Sequence, residues 1–175
     1  MSYLLDTNVI SELRKPKPDR HVLAWYDAAP AAELFLSVLT VGEIRLGIER
    51  LRRKDSAQAS LLELWLHGLH TVYRDRIVNV DAETAEEWGR LNVPDPLPVL
   101  DGLLAASAKV RGWTLVSRST ADLARSGVTL LNPFAPPAMP GPGGPGPGGP
   151  GPGGPGPGEP GPGPGRPGPA PAEPG

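Results

Sequence analysis

Cysteine is absent from the 175-residue chain. That excludes disulfides and thiolate-bound metals, leaves oxygen or imidazole ligands for any ion, and suits a reducing compartment. No apolar run approaches the ~18–20 residues of a membrane span. The opening residues Met1-Ser2-Tyr3-Leu4-Leu5 run into Asp6 with no basic segment ahead of an apolar one, so neither a signal peptide nor a membrane anchor is expected and the protein reads as cytoplasmic. Net charge is also scarce: −2 at pH 7 gives no global pull on a polyanion, so nucleic-acid binding would rest on local basic groups and on metal ions.

Gly (23) and Pro (24) are abundant and concentrated after Phe134. Residues 141–155 repeat Gly-Pro-Gly-Gly-Pro three times, a period of five where a collagen helix requires Gly at every third position. With almost no apolar or charged side chains, residues 136–175 are expected to be a disordered tail that leans toward polyproline II. Residues 1–135 then form one domain, and a chain of about that length buries well over half of its unfolded surface, enough for a core without covalent staples.

Within that domain short apolar runs alternate with helical patterns, the signature of an α/β fold on a mainly parallel sheet. Strands are predicted at Tyr3–Leu5, Leu34–Leu36, Ile77–Val80, Thr114–Ser117 and Val128–Leu131. A first helix carries Val9, Ile10 and Leu13 and is stopped by Pro16 and Pro18; a second follows Asp19 as its cap, with Val22, Trp25 and Tyr26. Thr40 is the predicted cap of a third, whose apolar residues Val41, Ile44, Ile48 and Leu51 recur at spacings of three and four, which puts Glu43 in its first turn and off the core stripe. Further helices are expected over Ser56–Tyr73, after Asp81 through Ala85, Trp88 and Leu91, and from about Leu100 to Val110, ended by Gly112.

Asp6 directly follows a strand, and Asp101 opens an Ala-rich helix after a proline-ended loop. In a parallel sheet the carboxyl ends of the strands and the N-termini of the next helices face one crevice, so Asp6, Glu43 and Asp101 can converge there. Taken singly, an acid at a helix start is an ordinary cap. Together they carry a cost: carboxylates about 4 Å apart repel by roughly 4 kcal/mol at an effective dielectric near 20, and a hard divalent cation relieves it. Mg²⁺ takes oxygen ligands, uses one or two carboxylates directly, and can act on a phosphodiester.

Three stretches add a resemblance. Leu5-Asp6-Thr7-Asn8-Val9-Ile10-Ser11-Glu12 resembles the opening motif of PIN-domain toxins of the VapC and FitB type, Thr40-Val41-Gly42-Glu43-Ile44-Arg45-Leu46-Gly47 their second motif, and Pro98-Val99-Leu100-Asp101-Gly102-Leu103-Leu104-Ala105-Ala106 their third. Leu115-Val116-Ser117-Arg118 and the ending Leu130-Leu131-Asn132-Pro133-Phe134 resemble the fourth motif and the terminus. The resemblance implies a three-layer α/β/α sandwich, Mg²⁺ or Mn²⁺ dependence, endonucleolytic cleavage of RNA, a homodimer that can enter a higher toxin–antitoxin complex, and inhibition by a small antitoxin. On the matching positions Asp6, Glu43 and Asp101 become the acidic site, with Asp6 and Asp101 on the metal. Thr7 and Asn8 would hold Asp6 in place, or serve only as helix cap and turn former; Ser117 and Arg118 adjoin the cluster.

One departure stands out. Where relatives commonly carry Asp or Asn after the Ser/Thr-Arg of the fourth motif, this chain has Ser119, with Asp122 three residues on. Either Asp122 supplies a fourth acid or three acids and water suffice. Arg45, Arg50, Arg52, Arg53 and Lys54 form a basic run that reads either as a solvated helix face or as a phosphate track. Two other functions compete. An aspartyl-nucleophile phosphatase resembles Asp-x-Asp where this chain has Asn8 in the second position, and a catalytically weak PIN-fold module that binds RNA or a partner is favoured only by Ser119.

Overall fold

The computed structural model describes residues 1–136, so the expected tail from residue 137 onward lies outside the described residues. Five short strands, β1 (Tyr3–Leu5), β2 (Leu34–Ser37), β3 (Ile77–Val78), β4 (Thr114–Val116) and β5 (Thr129–Leu131), make one sheet in the order β3-β2-β1-β4-β5. Every pairing is parallel. The connecting helices are α1 (Thr7–Leu13), α2 (Arg20–Ala28), α3 (Val38–Arg52), α4 (Ser56–Val72), α5 (Ala82–Leu91), α6 (Val99–Val110) and α7 (Thr120–Leu123).

Successive strand side chains point to opposite faces, and two cores result. Leu5, Leu34, Leu36 and Val116 pack with Val9, Ile10, Val22, Tyr26, Ile48 and Leu69 from α1–α4. On the other face Leu4, Phe35, Leu115 and Leu130 pack with Leu91, Leu104, Ala105, Ala108 and Leu123 from α5, α6 and α7. This is the α/β/α sandwich that the resemblance implies. Gly102 sets the fit of α6 on α5, because a Cβ there would stand 3.0 Å from Trp88 Cδ1.

The caps at Asp19 and Asp81 form as read: Asp19 accepts from the His21 and Val22 N–H groups, and Asp81 from that of Thr84. The start of α3 differs. Ser37 is its cap and accepts from Leu39 N, while Thr40 is fully buried in the first turn and donates its hydroxyl to Leu5 O at 3.4 Å. β2 and α3 abut with no loop between them, so no turn residue marks the junction. Glu43 therefore lies in the second turn of α3, not the first. β3 ends at Val78 and β4 at Val116, both short of the expected ends, and α7 follows β4 where periodicity predicts nothing.

Candidate active site

β1 lies between β2 and β4, which the chain reaches in opposite directions from it. At such a reversal the segments leaving two neighbouring strands part and open a crevice beyond their carboxyl ends. Asp6 leaves β1 and Ser117 leaves β4 at this edge.

Asp6 is only 8% exposed and precedes α1, yet its side chain makes no capping hydrogen bond. Instead its Oδ2 accepts from Ser117 Oγ at 2.5 Å and Asn8 Nδ2 at 2.6 Å. Ser117 Oγ in turn accepts from Ser119 N at 3.0 Å, and Asn8 Oδ1 accepts from Arg118 N at 3.1 Å. The Asn8 amide can therefore face only one way, nitrogen to Asp6 and oxygen to the backbone after β4. Asp6 Oδ1 receives no hydrogen bond from the described residues.

Asp101 sits in the first turn of α6, half-buried and without a hydrogen-bond donor among the described residues. Burial pushes its carboxyl above the ordinary range, and the charges of Asp6 and then Asp122 push it further. These are the acids whose field it feels. Asp122 itself is exposed on α7. Glu43 joins from α3 through Thr7, whose hydroxyl donates to Glu43 Oε2 at 2.5 Å. The arrangement is looser than one tight cage: among the described residues no three acidic or histidine side chains lie close enough to hold a common ion.

Arg118 supports the site through its backbone. Its guanidinium turns to Glu12 Oε2 at 3.2 Å and lies 3.8 Å above the Phe134 ring. Glu12, which carried no role in the sequence reading, is 6% exposed and also accepts from Lys15 Nζ at 2.7 Å and Asp19 N at 3.1 Å. Burial pushes its carboxyl up, but the hydrogen bonds from Lys15 and Asp19 and the charges of Lys15 and Arg118 hold it below the usual range. Lys15 at i+3 was the one signal in sequence; the other partners are distant. Within the basic run Arg45 and Arg52 lie on α3 and pair with Glu49 and Glu63, while Arg53 and Lys54 follow the helix end.

The chain is an all-parallel α/β/α sandwich with Asp6 and Asp101 near the β1/β4 reversal, and residues 3–125 match the PIN domain family, to which this chain belongs. Two similar proteins are the plasmid stability protein StbB of Pseudomonas syringae pv. tomato and the VapC ribonuclease Y4jK of Sinorhizobium fredii. The first is 32% identical over 139 residues, 75% of this chain and 97% of StbB. The second is 33% identical over 141 residues, covering 76% and 98%. Among solved structures, FitAcB from Neisseria gonorrhoeae aligns with a TM-score of 0.70 at 30% identity, covering 75% of this chain and 98% of that one. No helix among the described residues is long and apolar enough to cross a membrane.

Proposed function

We propose that the protein is a Mg²⁺- or Mn²⁺-dependent endoribonuclease that hydrolyses RNA phosphodiester bonds and serves as the toxin of a type II toxin–antitoxin pair. The observation that carries this reading is the pair Asp6 and Asp101: two acids at the crevice, one with an oxygen that no described residue bonds and the other raised by burial and then by the charge of Asp6. An all-oxygen donor set fits a hard divalent ion, which takes one or two carboxylates directly and fills its remaining positions with water. Asp6 and Asp101 would hold it. When bound, such an ion supplies charge neutralisation on the phosphodiester and lowers the pKa of a coordinated water.

The chain's own residues do the rest. Ser117 and Asn8 fix Asp6 through Oδ2, which orients Oδ1 without competing for it. Thr7 fixes Glu43 through Oε2 and leaves Oε1 to accept a proton from the attacking water. Asp122 acts as the fourth acid through its field on Asp101, and Ser119 contributes its backbone N–H to Ser117 rather than a ligand. The ribonuclease name of the Sinorhizobium relative and the name Toxin FitB of a Neisseria gonorrhoeae relative, 31% identical over 138 residues, support the ribonuclease and toxin readings, while the cognate antitoxin and a homodimer within a toxin–antitoxin complex go with what the motif resemblance implies. We place residues 1–135 as the nuclease domain and 136–175 as an appendage without a part in catalysis.

Incubating the purified full chain with single-stranded RNA, in Mn²⁺ or in EDTA, tests the proposal. Internal cleavage in Mn²⁺ alone is expected. RNA binding without cleavage in either condition would instead assign the protein to the catalytically weak binding modules.

A further inference from the structure

Arg14 closes α1, where its backbone N–H donates to Glu12 O, and is half-buried, yet its side chain makes no hydrogen bond or ion pair with any described residue. Its guanidinium carbon lies 5.8 Å from the centroid of the Trp65 ring. Burial pushes its guanidinium below the usual range, and no carboxylate pairs with it among the described residues. Arg45, Arg52, Arg111 and Arg118, by contrast, each sit on a carboxylate. The guanidinium is partly desolvated and pairs with no carboxylate, and a bound anion would supply charge-assisted hydrogen bonds to it. Trp65, 8% exposed, forms part of the same wall, and its Nε1 is buried with no partner among the described residues.

A pocket of about 200 Å³ lies against Arg14, bounded by Thr7, Ser11, Glu43, Ile44 and Trp65 among others. Thr7, Ser11 and Arg14 recur at i, i+4 and i+7 and so share one face of α1. At 1.5 Å per residue they span about 10 Å, from the Thr7–Glu43 hydrogen bond at the acidic crevice to the unpaired guanidinium. Drug-sized organic ligands need pockets of ~300–1,000 Å³, so this one suits a small anionic group.

We propose that Arg14, with Ser11 beside it, is a phosphate subsite that takes an RNA backbone phosphate flanking the scissile one. The inference rests on the ribonuclease reading. The acids repel a polyanion, so a strand laid across the crevice needs a cation on the protein to hold its neighbouring phosphate. Arg118, the arginine next to the acids in sequence, is occupied by Glu12 and Phe134. Arg14 has the planar donor fork that suits phosphate, and it stands one helix length away.

The test uses the full chain carrying Asp101→Asn, which keeps RNA intact, with and without Arg14→Gln or Arg14→Lys. Fluorescence anisotropy reads the binding of a labelled mixed-sequence single-stranded RNA over a salt series. Arg14→Gln is expected to weaken binding about tenfold and to reduce the salt slope by ~0.7, the share of one phosphate on a single strand. Arg14→Lys should keep most of that slope, so it decides the matter even if Arg14→Gln melts lower than its parent. A fully methylphosphonate strand, which has no backbone charge, should not distinguish the variants. Equal affinity and equal slope in all three proteins overturn the subsite and leave the ribonuclease reading standing, whereas a parent that binds no RNA overturns both. Loss of binding to an acidic peptide, with RNA binding unchanged, would assign Arg14 to a protein ligand and likewise overturn the proposal.

Discussion

Ser117 donates its hydroxyl hydrogen to Asp6 Oδ2 at 2.5 Å and so joins residues 111 positions apart in the chain. The orientation of the β1 acid is thus set from the end of β4. Ser117→Ala should cut RNA cleavage roughly 10- to 100-fold and raise the Mn²⁺ concentration needed, the scale typical of residues that orient a metal ligand. Removing one of the two donors to a buried carboxylate should also cost about 1–2 kcal/mol of stability. A metal titration that overlays the wild type would show that Asn8 alone positions Asp6.

Asp101 gives a stability prediction in the absence of metal. Its carboxyl is raised by burial first, then by Asp6 and Asp122, so the folded chain binds that proton more tightly than the unfolded chain does. Stability is therefore lost as pH rises from the ordinary aspartate range through the raised value, and the penalty is fully present at neutral pH. In EDTA at pH 7, Asp101→Asn should melt higher than wild type, with the gap closing toward pH 3. Adding Mg²⁺ should raise the melting temperature of wild type more than that of the variant. A variant that melts lower in EDTA would mean the acids do not strain one another.

Glu12 has the opposite sign. Its partners outweigh burial and hold its carboxyl below the usual range, so its contribution is fully present above the ordinary glutamate range and lost as pH falls from that range through the lowered value. Glu12→Gln should destabilise by about 2 kcal/mol at pH 7, and by much less at pH 3. Denaturant melts at the two pH values check it, and an equal loss at both would point to packing.

The caps at Asp19 and Asp81, the five strands and the placement of Asp6 after β1 and Asp101 at the start of α6 were legible in sequence, because each rests on local chemistry: a side-chain acceptor ahead of a helix, a short apolar run, a carboxylate at the end of a strand or the start of a helix. The α3 start was not, since a strand that turns straight into a helix leaves no Gly, Pro or Asn to mark it. Ser37, in strand context, hid the cap, and Thr40 has the chemistry of one but is buried. Contacts that span the chain, such as Glu12 with Arg118 or Arg14 over Trp65, have no local signature and required the fold.

Asp122 and Ser119 can be separated directly. Because Asp122 acts on Asp101 by its charge while Ser119 offers its backbone, Asp122→Asn should weaken Mn²⁺ affinity or turnover by roughly one to two orders of magnitude. Ser119→Ala should do far less, and Ser119→Asp should add little. A silent Asp122→Asn alongside a tighter-binding Ser119→Asp would reverse the assignment.

The tail gives a simpler expectation. Residues 136–175 hold almost no apolar side chains whose burial could offset the entropy of ordering them. A chain ending at Ala135 should fold, melt and cleave RNA as the full chain does. Loss of cleavage, or a melting temperature many degrees lower, would give the tail a role in the domain.

The most direct test of the central claim is RNA cleavage by Asp101→Asn at saturating Mn²⁺. The Asp101 side chain has no hydrogen-bond partner among the described residues, so this substitution removes the charge and the proposed metal ligand while leaving the network around Asp6 in place. The account predicts no detectable cleavage from a preparation whose melting curve shows an intact fold. Cleavage at the wild-type rate by that same folded variant would contradict it.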